Sequence, residues 1–118
     1  MPEAVGDNQL VVPERFVALF VPLGRTKPTE PWPVILQRYE LCDDLAQALE
    51  ERARQLHWEL GVTEADVLER IRAGLDQPGG AGLSGPEVLW VVGRLAELLG
   101  WPVPDWVNNA PVPEGPTA

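Results

Sequence analysis

Apolar residues recur at helical spacing in three long segments, each followed by a glycine: Leu60-Gly61, Ala73-Gly74 and Leu99-Gly100. In the first segment, roughly Val34–Leu60, a helical wheel places Leu41, Leu45, Ala48, Leu49, Leu56 and Leu60 in one stripe about a third of the circumference wide. Glu40, Asp44, Gln47 and Glu51 lie opposite. The second, Glu64–Ala73, follows a tight Gly61-Val62 link and turns Val67, Leu68 and Ile71 inward. The third, Gly85–Leu99, is apolar almost all round, through Val88, Leu89, Val91, Val92, Leu95, Ala96, Leu98 and Leu99. A helix with so little polar surface is expected at the centre of the fold.

The starts of these helices are written as clearly as their ends. Ser84-Gly85-Pro86-Glu87 reads as a capping box, with Leu83 and Val88 as its hydrophobic staple. Thr63-Glu64-Ala65-Asp66 repeats the logic more weakly, with Val62 and Val67. Trp101 follows the terminating Gly100, where a Schellman-type cap would fold it back over Leu95 or Ala96. Val12–Phe20 reads as a short helix with Pro13 in its first turn and Phe16, Leu19 and Phe20 on one face. An extended reading competes there, since Val11, Val12, Val17 and Phe20 favour strands. The thirteen prolines fall at residues 2–33, at 78 and 86, and from 102 onward, which leaves the helix interiors clear. A proline inside a helix costs ~3 kcal/mol, so this segregation itself separates helix from loop.

The pattern predicts an all-α fold: a small bundle of three principal helices plus a short N-terminal helix, over residues 13–101. A loose arm precedes it (1–12), and a proline-rich tail without periodicity, read as disordered, follows (102–118). Residues 21–33 form a proline-punctuated loop and residues 75–83 a glycine-rich one.

Length allows one core but not two, at 118 residues. Eighteen acidic and nine basic residues give a net charge of −9. That sign opposes direct binding to nucleic acid or to an anionic membrane. A single cysteine, Cys42, excludes an intrachain disulfide. The stretch Met1–Asp7 has neither a basic region nor an apolar run, so no signal peptide is expected, and a soluble cytoplasmic protein is.

Candidate chemistry is sparse. Cys42 sits beside Asp43 and Asp44 at the edge of an apolar stripe, where both neighbours and burial disfavour a thiolate, so it reads as structural. His57, the sole histidine, lies near a helix end where it can meet the terminal carbonyls, and nothing places a serine or threonine beside it. Glu40, Asp43, Asp44, Glu50, Glu51 and Glu59 lack the Glu-x-x-His pairing of carboxylate-bridged bundles and read as a solvated acidic face. Gly79-Gly80-Ala81-Gly82 is not followed by Lys-Ser or Lys-Thr, so it reads as a flexible linker rather than a phosphate loop. A helix-turn-helix reading fails on charge, since the last helix carries one base, Arg94. No catalytic, cofactor-binding or metal-ligating residue is assigned, and no enzymatic activity is expected.

Two tryptophans stand out from the helical pattern. Glu87, Trp90, Arg94 and Glu97 form the only polar stripe of the last helix, and Trp58 falls on the acidic side of the long one. Large aromatics outside the core stripe are either covered by another part of the chain or left for a partner. Trp32-Pro33 and Trp101-Pro102 are the segments suited to cover them, and this is the favoured of the two readings. Arg38 and Arg52 fall within the leucine stripe and are expected at its margin.

Function then divides into three readings. The first is an acidic protein-binding adaptor or regulator acting through Trp58, Trp90, Arg94 and Glu87; its partner is a protein that the sequence does not identify. The second is a DNA-mimicking inhibitor of a nucleic-acid-binding protein, though nine bases among eighteen acids dilute the field. The third is an enzyme of unrecognised type. A homodimer is a further possibility, with Arg94 meeting Glu87 or Glu97 of an antiparallel copy. Against it stand a monomer with Trp90 covered and the repulsion of two −9 charges.

Several segments carry a family resemblance: Asp7-Asn8-Gln9, Val12 to Phe20, Arg38 to Ala46, Glu64 to Arg70 and Arg94 to Trp101. They resemble a small uncharacterised proteobacterial family, found mainly among beta-proteobacteria, whose members are sometimes labelled "ATPase with chaperone activity". The label implies a nucleotide site. This sequence departs from it, having neither a phosphate loop nor an acidic metal-holding strand, and the resemblance transfers no catalytic residue.

Overall fold

A computed structural model describes residues 12–22, 24–77 and 82–108. Among them the secondary structure is helical throughout, with no strand. Helix α1 (Glu14–Val17) runs into a 3-10 turn (Ala18–Phe20), followed by α2 (Trp32–Leu60), α3 (Glu64–Leu75), α4 (Gly85–Leu99) and α5 (Asp105–Asn108). The chain divides into two compact units, Met1–Cys42 and Asp43–Ala118, and the division falls inside α2.

In the first unit the helical reading of residues 14–20 prevails over the extended one. The Pro13 carbonyl accepts from the N–H groups of Phe16 and Val17 at 2.9 and 3.1 Å. This winding stacks Phe16 on Phe20, with ring centroids 5.5 Å apart, and sets it edge-on to Tyr39 at the same separation. Phe16 is fully buried, so packing overrides the β preference of the neighbouring valines. The proline loop is pinned at its far end, where both the N–H and the hydroxyl of Thr29 donate to the Phe20 carbonyl, at 2.7 and 3.2 Å. Val12, Ile35 and Cys42 complete the buried set of this unit, so the cysteine is buried as expected.

In the second unit, the rest of α2 packs with α3 and α4 around Val67, Leu68, Val88, Val91, Val92, Leu95 and Ala96. The capping box forms as read: Glu87 N–H donates to Ser84 Oγ at 3.2 Å, and Ser84 N–H to Glu87 Oε1 at 2.9 Å. Thr63 Oγ1 accepts from Asp66 N–H at 3.1 Å. At the other end of α4, Trp101 N–H reaches the Ala96 carbonyl and Gly100 N–H the Glu97 carbonyl. Gly100 takes φ +74°, so this is the Schellman turn, and glycine supplies the left-handed residue it requires.

Three expectations are corrected. First, the buried face of α2 is not the leucine stripe. It runs through Ile35, Cys42, Ala46 and Ala53, turned about 80° from that stripe, while Leu41 and Leu60 are 42% and 47% exposed. Leu45, Leu49 and Leu56 flank this line, half-buried. Second, α3 does not stop at Gly74 but continues to Leu75. Its last turn is held by Asp76 N–H on the Arg72 carbonyl and by an Arg72–Asp76 ion pair at 2.9 Å. Third, the stretch after Pro102 is not structureless throughout. Val107 N–H bonds the Pro104 carbonyl at 3.1 Å, α5 forms, and Val107 is buried against α4. The remainder of the tail (109–118), most of the arm and most of the glycine-rich linker lie outside the described residues.

Candidate functional site

The four residues singled out for partner binding end in different circumstances. Glu87 is 3% exposed, and its carboxylate serves the capping box of α4. Trp90 is half-buried and engaged within the chain. Arg94 reaches across to α2, where its Nε donates to Asp43 Oδ1 at 3.2 Å, and its Nη1 lies 3.5 Å from Glu97 Oε1. Partial desolvation alone would lower the pKa of this guanidinium; the bonds to Asp43 and Glu97 outweigh it, so the pKa is raised. Asp43 also accepts from Gln47 Nε2 at 2.8 Å, which fixes the carboxylate that holds Arg94. At Arg94 the polar stripe of α4 thus joins α2. Its key pair spans 51 positions, and no local pattern announces it.

Trp58 is different. It stands 85% exposed in the last turn of α2 and makes no ring contact among the described residues. Among the described residues, then, no segment covers Trp58, contrary to the favoured reading. Trp101, one of the segments suited to cover it, instead sets its ring edge-on to His57, centroids 5.1 Å apart. His57 is half-buried beside that ring. Trp106 takes the guanidinium of Arg72 over its own ring at 5.3 Å. Trp101 and Trp106 are both engaged inside the unit.

The surroundings of Trp58 are polar and acidic. One and two turns back along α2 lie exposed Gln55, Arg54 and Glu51, which bound a shallow open depression. Gln55 donates to Glu59 at 3.0 Å, and Arg54 pairs with Glu50 at 3.3 Å while its side chain stays 59% exposed. Glu51 and Asp44, further along the same side, make no ion pair among the described residues. Among those residues no group of three or more histidines, cysteines or carboxylates is arranged to hold a metal, and no helix is long and apolar enough to cross a membrane. In comparisons with protein-family models, curated proteins and solved structures, nothing matches this chain.

Proposed function

We propose that the protein is a small acidic adaptor or regulator that docks another protein through the exposed side of α2 around Trp58, with no chemistry of its own. One observation carries the reading: a tryptophan stands 85% exposed in the last turn of α2. A tryptophan offers a large contact area with little rotamer entropy to lose, and such residues dominate binding energy where they become buried. Trp90, Arg94 and Glu87 fall out of the docking set because they are occupied within the fold.

The test is a photo-crosslinking amino acid at position 58, activated in the cells that make the protein. The expected result is one dominant adduct that is absent when the same group replaces exposed Glu69 on α3. Loss of that partner on Trp58→Ala, by at least tenfold in affinity (about 1.4 kcal/mol), is expected in the purified pair. Absence of an adduct, or the same adducts from position 69, would overturn the proposal.

A further inference from the structure

Asp44, Glu51 and Trp58 are each seven residues apart on α2. On a straight helix, residues at this spacing form one line that drifts only about 20° per step, with successive members ~10.5 Å apart. All three are exposed, and the line lies on the side of α2 away from buried Ala46 and Ala53. Neither carboxylate is neutralised by an ion pair among the described residues. The line ends at the C-terminal turn of a 29-residue helix, where the backbone dipole adds negative potential beside the tryptophan.

This arrangement discriminates among occupants. A second copy of the same face would set carboxylate against carboxylate, and nucleic acid or an anionic membrane would be repelled. A cation over the Trp58 ring would gain from both the ring quadrupole and the helix terminus. We infer that this face receives a cationic helical segment of a partner protein, with arginines or lysines at seven-residue spacing, one stacking on Trp58 and the others meeting Glu51 and Asp44. The inference rests on the reading of Trp58 as a docking anchor and names the chemistry of its partner. Two parallel or antiparallel helices keep a seven-residue register, so a single helix can satisfy all three positions at once. Arg54 is exposed one turn from Trp58, and its charge opposes the occupant.

The probe is a capped alanine–glutamine peptide of roughly 22 residues, long enough to be helical, with three arginines at every seventh position. Its comparator has the same composition with the arginines spaced by five, which spreads them around the helix. Titration calorimetry on the full chain is expected to show the seven-spaced peptide binding at least fivefold more tightly than the comparator. Trp58→Leu, Glu51→Gln and Asp44→Asn are each expected to weaken it by threefold or more. Arg54→Gln is expected to tighten it. The substituted side chains are solvent-exposed, and unchanged circular dichroism would verify that the variants remain folded.

Equal binding of the two peptides would reduce the effect to bulk charge and overturn the inference, as would an absence of binding or indifference to Trp58→Leu. The docking proposal itself is judged separately by the position-58 adduct. If that adduct maps to a neutral or acidic partner segment, docking stands and the cationic occupant falls.

Discussion

A Cβ at Gly93 would lie 2.8 Å from Cγ1 of Val107, closer than real side chains come. Glycine costs a helix interior about 1 kcal/mol relative to alanine, so here its absence of a side chain has a use: it admits Val107 against α4. Gly93→Ala sets a propensity gain of about 0.5–1 kcal/mol against an overpacking cost of about 1–3 kcal/mol. Valine is stiff at χ1, so the four-residue α5 must move instead. The expected outcome is displacement of α5, read as loss of the Trp106 indole shift caused by Arg72, with a net destabilisation of about 1 kcal/mol in urea. Adding Val107→Ala to that variant is expected to cost nothing further, since the contact has already gone. At Ser84 the outcome is simpler. Ser84→Ala removes one bond of the capping box and is expected to cost about 0.5–2 kcal/mol, by the same measurement. Arg94 contributes no pH dependence in ordinary buffers. Its raised pKa gives stability fully present below the unfolded-state value and lost only as pH rises through the still higher folded-state one, far above ordinary buffers.

Element by element, what could be read in the sequence was what is local. The bounds of α4, the caps at Ser84 and Thr63, and the turn at Gly100 each depend on residues within six positions of one another. Gly74 misled because a glycine near a helix end is only a permission to stop, and the Arg72–Asp76 pair carries α3 onward. The face of α2 misled for a different reason. A wheel weighted by hydrophobicity points at leucines, whereas the line that is fully buried carries smaller side chains, Cys42, Ala46 and Ala53. The α5 segment was hidden because four residues among prolines carry no period, and its docking depends on Gly93, far away in sequence. Of the candidate site, the position of Trp58 on the acidic side of α2 was legible, while its exposure, against the favoured coverage by the proline segments, and the engagement of Arg94 by Asp43 were not. The α2 face gives a test in which size and sign invert. Ala53→Leu, small to large at full burial, is expected to cost about 1–3 kcal/mol in denaturant unfolding. Leu41→Ala, large to small but 42% exposed, is expected to cost less than about 1.5 kcal/mol, below the range of buried leucine truncations. The reverse order would restore the leucine stripe as the packing face.

At the scale of the whole molecule, the question is whether the chain associates with itself. An antiparallel dimer through the polar stripe of α4 needs Arg94 free to meet Glu87 or Glu97 of a copy. Arg94 is instead held by Asp43 and by its own Glu97, and Glu87 is buried in its cap. Exposed ion pairs contribute only about 0–1 kcal/mol each, too little to repay the breaking of pairs already made. Two copies would also bring together net charges of −9, a repulsion that salt screens over a Debye length of about 10 Å at 0.1 M. The expectation is a monomer by sedimentation across a hundredfold range of concentration at low ionic strength, with Trp90→Ala leaving the sedimentation coefficient unchanged. A dimer abolished by Trp90→Ala would show that the polar stripe of α4 opens to a copy. A dimer that persists in that variant yet disappears with Leu45→Glu would place association on the half-buried leucine flank of α2, which a sequence reading takes for the core.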